Sequence, residues 1–415
     1  MLKKFKIVSL IAILLSVFVP TLSHQVQAQD AVELTYTIWD SRQEPGLRAI
    51  ADDFEVENPN ISIQIQVVGW DEYWTMLEAG ATGGSLPDVF WMHANEIYKY
   101  GANDMLLNLD DYIEADGVDM SKHPEELVEL YNIEGHQYAM PKDQDTVGLW
   151  YNKALFDEAG IDYPDETWTW DDLLEAGRAL TNEEEGQYGL GMKLSNQEGF
   201  YNFIYQNGGT VLNEDGTSGI ASPESIEALD FYFNFVREGL SPTLYSDDEV
   251  IQLLQSGKGA MGYFGSWLVG LFQDNEYLKE NFAVAVLPSK DGNRTGVFNG
   301  LGNAIGSNTE HPEEAWKFVN YLSSEEAQRK QSELGVAIST YEGSEEVWVE
   351  SDDQFDLQPY IDMLEQRVIR PHTNATAVWE AKSYEILRTG YTGDKETADV
   401  AQETAEMMNQ FISQE

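Results

Sequence analysis

Between Leu34 and Met92 three strand-like segments alternate with two helix-like ones, and this alternation narrows the fold more than any other feature of the chain. LTYTIW (Leu34 to Trp39) reads as a strand, and the helical pattern after it runs to Glu57 and stops at Asn58-Pro59-Asn60. ISIQIQVV follows with period-two alternation. Next come a helix around Tyr73 to Leu77, a break at Gly83-Gly84, and Pro87-Asp88 leading into VFWM. A βαβαβ order implies a mostly parallel sheet with helices on both faces, in which ligands bind beyond the carboxyl ends of the strands. Trp39-Asp40, Val68-Gly69-Trp70 and Trp91-Met92-His93 occupy those ends.

The pattern starts afresh after PKDQD. Thr146 to Tyr151 is strand-like, Asn152 is placed to cap a helix that Leu155, Phe156 and Ala159 pack inward, and Gly160 ends that helix. TWTWDDLLEAGRALT reads as a helix, YGLGMK as a strand and ESIEALDFYFNFVREG as an amphipathic helix. IQLLQSGKGAMGYFGSW reads as helix, glycine turn, buried strand and a tryptophan just past the strand end, with FAVAVLP after it. NGLGNAIG and one long helix, HPEEAWKFVNYLSSEEAQRKQSELG, follow, and the tail reads as three amphipathic helices. No low-complexity linker separates the halves, so two lobes joined by several short ordered crossings are expected.

Lys3, Lys4 and Lys6, an apolar run from Ile7 to Val19, Pro20 and the small-residue site Val26-Gln27-Ala28 together read as a secretory signal peptide over 1–28. The apolar run is shorter than the roughly 20 residues that span a bilayer. Cleavage after Ala28 leaves about 387 residues, too many for one ordinary core. There is no cysteine, which excludes disulfides, thiol chemistry and a lipidated N-terminal cysteine. Seventy-three acids face 24 bases, and without the three leader lysines 21 bases remain, for a net charge near −52. That charge repels nucleic acid and anionic membrane. The acids are spread over helix surfaces such as DDFEVENPN, as a solvated coat would be.

TWTWDDLLEAGRALT, GKGAMGYFGSW, LWYNKALFDEAG, NPNISIQIQ and EEAWKFVNYLSSEEAQ resemble the signature segments of the family 1 extracellular solute-binding proteins, the maltose-binding-like receptors of ABC sugar importers. The resemblance spans nearly the whole mature chain, in the family's order. It implies a two-lobed periplasmic-binding-protein fold of type II, each lobe a mixed, mostly parallel sheet flanked by helices, with ligand in the interlobe cleft. AMPKDQDTVGLWYN would be the first crossing, AVLPSKDG the second and GVAIST the third. Lobe one would then cover 29–141 plus 290–336, and lobe two 142–289 plus 337–415. An expected monomer would bind a mono- or oligosaccharide by hinge closure and deliver it to the membrane subunits of an ABC permease, with no enzyme activity, cofactor or metal. The lipobox cysteine that tethers Gram-positive members is absent from the sequence, which leaves a periplasmic protein or another means of retention at the cell surface.

A pyranose presents apolar C–H faces that fit flat on indole or phenol rings, and hydroxyls that donate to carboxylates and accept from amides. On that chemistry the candidates facing the cleft are Trp39, Asp40, Glu44, Trp91, His93, Asp143, Asp145, Tyr201, Trp267, Asn299 and Trp379. Each has a structural rival: a core position for the tryptophans, a helix cap for Asp40, a satisfied loop histidine for His93, solvated hinge positions for Asp143 and Asp145. Trp150, alternating with Tyr151 along one strand, is assigned to the core. His93 has no HxH or HxxxH companion and so makes no metal site. Ser41, Ser266 and Ser289 have no G-x-S-x-G setting. Two other readings remain open: the same fold holding glycerol phosphate, a peptide or an organic ion, and a glycoside hydrolase with two cleft carboxylates. Acidic loops at the strand ends disfavour an anionic solute.

Overall fold

The computed structural model describes residues 31–415; the expected leader, with its cleavage site after Ala28, lies outside the described residues. In chain order the main strands are β1 (Val32–Ile38), β2 (Ile61–Val67), β3 (Val89–Met92), β4 (Ala139–Pro141), β5 (Val147–Asn152), β6 (Met261–Gly265), β7 (Phe282–Ala285), β8 (Gly296–Phe298), β9 (Gly302–Ile305) and β10 (Arg367–Ile369). The first sheet has the order β2-β1-β3-β9-β4, with β1 parallel to β2 and β3, and β9 antiparallel to β3 and β4. Its crossover helices are α1 (Glu44–Glu57) and α2 (Trp70–Gly83). Gly84, in the left-handed region at φ 67°, ends α2. Leu47, Ile50 and Phe54 of α1 meet Leu34 and Tyr36 of β1 in one core, with Leu77 of α2 and Phe318.

The second sheet is antiparallel, β6-β5-β7, and so departs from the expected parallel arrangement. YGLGMK, expected as a strand there, makes only isolated bridges, Tyr188 with Gly259 and Lys193 with Leu244. Its amides are divided among neighbours: Tyr188 donates to the Lys258 carbonyl, Leu190 to Leu240 and Gly191 to Met261, so no continuous ladder forms. The expected long helix is two helices, Pro312–Leu322 and Glu325–Glu333, because Ser324 turns out of the helix and caps the second through Ala327 N–H. The tail carries four helices where three were expected, two of them short. Asn152 caps its helix as read, accepting from the amides of Ala154 and Leu155, and Gly160 ends it at φ 66°. Phe156 is buried in that helix, but Ala159 is exposed.

A second core gathers Leu149, Phe203, Tyr232, Trp379 and Leu387, and a third gathers Trp150, Phe272, Trp348 and Tyr360. Trp150, assigned to the core from its alternation, stacks on Phe272 at 3.6 Å. The chain leaves the first core between Met140 and Val147, returns between Val297 and Phe298, and leaves again between Ala327 and Ile338. AVLPSKDG therefore stays with the second core: Ser289 N–H donates to the Trp168 carbonyl, and β8 after it pairs with β10. The three passages lie side by side, with Gln144 bridged to Ile338 and Asp145 to Asn299.

Candidate functional site

The ends of β1 and β3 and the start of α2 face the turn after β6 across a cleft of about 360 Å³. The first-core side supplies Trp39, Asp40, Trp70 and His93, and the first passage supplies Asp143, Gln144 and Asp145. Opposite them stand Ser195, Asn196, Gln197, Glu198, Asp247, Ser266 and Trp267, with Arg370 after β10. Both walls are built by chain ends leaving buried strands, where side chains are free to face outward.

Three indoles line this space. Trp39 packs edge-on against exposed Trp70 at 5.0 Å and buried Trp91 at 4.9 Å, so its orientation is set from two sides. Trp267 folds back over Gly265, where a Cβ would lie 2.1 Å from the indole ring. Only glycine at 265 permits that close approach.

The polar groups are tied down with little freedom. Asp143 accepts from Lys142 Nζ at 2.6 Å through one oxygen and from Leu301 N–H at 2.7 Å through the other. Lys142, 1% exposed, also donates to Gln43 Oε1 at 2.9 Å and lies 4.4 Å from the Trp91 ring centre. Glu198 accepts from Lys193 Nζ at 2.5 Å and from Gly265 N–H at 2.8 Å. Arg370 Nη2 donates to both oxygens of Glu380, at 2.9 and 2.7 Å. Asp145 differs: Gln197 Nε2 and Asn299 N–H both donate to its Oδ1, at 2.5 and 3.0 Å, while Oδ2 has no protein partner among the described residues. Burial, with the Asp143 carboxylate beside it, raises the Asp145 carboxyl to about 8.

His93 Nδ1 donates to Asn95 Oδ1 at 2.7 Å, leaving Nε2 to accept from Arg370 Nη1 at 3.3 Å and Asn299 Nδ2 at 3.4 Å. Burial and the Arg370 charge lower its pKa to about 3, so the ring is neutral. The cleft thus carries five carboxyl groups, from Asp40, Asp143, Asp145, Glu198 and Asp247; that of Asp145 keeps its proton at neutral pH, Lys142 pairs with Asp143, Lys193 with Glu198 and Asp247, and the one lining guanidinium is engaged by Glu380.

Of the expected residues, Trp39, Asp40, His93, Asp143, Asp145 and Trp267 line this cleft. The others do not. Trp91 is wholly buried on β3, its Nε1 donating to Tyr36 Oη at 2.7 Å. Trp379 lies on the helix Thr376–Tyr391, within the second core, and Tyr201 is buried there against Phe200. Glu44 opens α1, half-buried outside the lining. Asn299, 1% exposed, stands behind Asp145 and His93 and shapes the wall from the rear. The reading from sequence passed over Trp70, although it marked that strand end, and dismissed Ser266. Gln43, Gln144, Arg370 and the Ser195–Glu198 segment escaped it altogether. Asn196–Phe200 is a π-type turn, and no residue pattern in SNQEGF announces one.

One core on the first side, two cores flanking the β6-β5-β7 sheet on the other, three adjacent chain passages and a polar, tryptophan-lined cleft between the sides define a bilobal ligand-binding protein. The chain belongs to the bacterial extracellular solute-binding proteins, whose family profile matches residues 39–329. It is 25% identical over 336 residues to a binding protein of Brucella abortus, covering 78% of this chain and 79% of that one. It is 28% identical over 234 residues to the arabinooligosaccharide-binding protein of Halalkalibacterium halodurans, covering 54% and 52%. Its fold is that of an ABC substrate-binding protein from Listeria monocytogenes solved in complex with cycloalternan, at a TM-score of 0.83, 25% identity, and 92% and 100% coverage.

Proposed function

We propose that this protein is the extracytoplasmic receptor of an ABC importer, and that it binds a neutral oligosaccharide in the cleft between Trp39 and Trp267 and passes it to the permease. The observation that carries this reading is the lining itself: indole faces beside fixed hydrogen-bonding groups, with no free cation among the described residues of the cleft. Indoles take the C–H faces of a pyranose, and carboxylates and amides take its hydroxyls. An anionic solute would meet the carboxylates of Asp40, Asp143, Glu198 and Asp247 and an arginine already committed to Glu380. Relatives named for arabinooligosaccharide, lactose and maltotriose point the same way.

On this reading the expected lobe boundary at 289/290 moves to the Val297–Phe298 step that separates the cores, so that lobe one is 31–141 plus 298–336 and lobe two is 142–297 plus 337–415. The three side-by-side passages form the hinge. Hydrolysis is disfavoured by the state of the carboxylates. Asp143 and Glu198 each have both oxygens bonded by protein donors, an ammonium and a backbone N–H, which fixes them as wall groups rather than leaving them free to move onto a reacting centre. Calorimetric titration against a panel of neutral oligosaccharides tests the proposal. One sugar bound per chain and recovered intact is expected, and turnover of any bound sugar would overturn it.

A further inference from the structure

Lys193 is 5% exposed and stands outside the lining of the cleft, yet its ammonium holds two carboxylates that belong to that lining. Nζ donates to Glu198 Oε2 at 2.5 Å and also to Asp247 Oδ1. Glu198 lies in the π-type turn Asn196–Phe200, and Asp247 opens the helix Asp247–Gln255, so one cation ties two separate elements together. Taking an ammonium out of water is costly unless carboxylates offset the loss, and here both carboxylates come from a single wall.

The other oxygen of Glu198 extends this link. Oε1 accepts from Gly265 N–H at 2.8 Å. Gly265 is the last residue of β6, and β6 is an edge of the sheet β6-β5-β7. Its register partner on β5 is Val147, while the bond to that side of the sheet runs from Ser266 N–H to the Thr146 carbonyl. Gly265 N–H therefore points away from β5, toward the open edge, where a strand would otherwise leave it unpaired. Glu198 is the acceptor it finds. Trp267 lies back over this same glycine, whose Cβ would stand 2.1 Å from the ring. The indole rests on a backbone unit whose outward bond ends, through Glu198, on Lys193.

We infer that Lys193 is a positioning residue: through Glu198 and Gly265 it fixes the pose in which Trp267 meets a sugar, without touching the sugar itself. Its effect on sugar binding rests on the receptor reading; the placement of the indole does not. A lysine that served only to hold the fold together would change stability and leave the surroundings of the indole as they are.

Two variants test this. Lys193→Met keeps the aliphatic stem and removes the cation. Glu198→Gln leaves one acceptor oxygen where two served Lys193 and Gly265, so it breaks the link with little change of shape and serves if Lys193→Met melts early. With 6-fluorotryptophan in place of the eleven tryptophans, the Trp267 fluorine resonance is the one that Trp267→Ala removes. In both variants, without sugar, that resonance should shift or broaden, while those of Trp170 and Trp316 in the two main cores stay in place. Calorimetry then gives the affinity of the wild type and Lys193→Met for maltotriose, lactose and arabinotriose. Lys193→Met should weaken any of these that binds by about tenfold or more. On a Trp267→Ala background the same substitution should add almost nothing, as expected of residues that act through one another. A Trp267 resonance unmoved in both variants, or a Lys193→Met loss that persists in full without the indole, would overturn the positioning role and leave the receptor reading intact. A displaced resonance with none of the three sugars bound would support the positioning role and count against the sugar reading alone.

Discussion

Trp267 has one face on the backbone of Gly265 and is itself only half-buried, so truncation removes a contact surface without opening the core. Losing perhaps 60–120 Å² of sugar–indole burial at about 25 cal/mol/Å² costs roughly 1.5–3 kcal/mol. Trp267→Ala should therefore weaken sugar binding by about ten- to 150-fold while the melting temperature stays close to that of the wild type; lost stability with unchanged affinity would remove Trp267 from the site. Asp145 supports a different experiment. Its folded carboxyl keeps a proton up to about pH 8, whereas the ordinary value is 3.8. Between those values the folded state holds a proton that the unfolded chain has released, so stability falls as pH rises through this window and the loss is complete above it. The groups facing it are Asp143, Arg370, Gln197 and the Asn299 amide, with Tyr131 near enough to feel its charge. Asp145→Asn keeps the acceptor oxygen for Gln197 and Asn299 and cannot ionise. Thermal melts from about pH 6 to about pH 9 should show the wild type losing stability relative to this variant; parallel curves would contradict the assignment. Trp267 was legible in the sequence because it follows a strand-like run directly, and Asp145 because it lies in the first crossing that the family resemblance implies. Trp91 and Trp379 were misjudged because an indole carries no mark of the face it turns to, and only the packed core decides that.

The helix Lys153–Ala159 shows how far local rules reach. Asn152 accepts from the amides of Ala154 and Leu155 and donates through Nδ2 to Tyr277 Oη at 3.1 Å, so one buried side chain caps the helix and ties it to a neighbouring element. Asn152→Ala should cost about 0.5–2 kcal/mol for the cap, and more where Tyr277 is left without its donor. Urea denaturation measures this, and sugar affinity should not change, since Asn152 is remote from the cleft lining. A midpoint equal to that of the wild type would show that the cap contributes nothing. Caps, stops and period-two alternation made most strands and helices readable, because each depends on residues within a few positions of one another. YGLGMK failed for the opposite reason. Its backbone hydrogen bonds go to Leu240, Lys258 and Met261, far along the chain, and no local pattern records how they are shared. The break at Ser323-Ser324 was visible as two helix-poor residues, yet the apolar periodicity on either side concealed it.

At the scale of the molecule, two cores are joined by three passages that are hydrogen-bonded to one another, Gln144 to Ile338 and Asp145 to Asn299. A single linker would allow the halves to swing in any direction, but three passages bridged side by side in antiparallel fashion restrict relative motion to bending about the line they define. Residues on that line also face the cleft, Asp143 and Asp145 among them, so ligand contact and hinge angle are set by the same short segment. On the proposed reading, a sugar held by Trp39 on one side and Trp267 on the other would bind the closed arrangement better than an open one, and that difference in affinity would shift the population. Small-angle scattering should therefore give a smaller radius of gyration with saturating sugar than without it. The comparison needs moderate salt: at a net charge of −49 the molecules repel one another, and about 0.1 M salt shortens the Debye length to about 10 Å, which keeps that repulsion out of the low-angle data. Trp267→Ala, given enough sugar to saturate it, should contract less than the wild type, because one of the two walls has lost its hold. Equal profiles with and without bound sugar would mean that the passages hold the lobes rigid, and that ligand enters a cleft already formed.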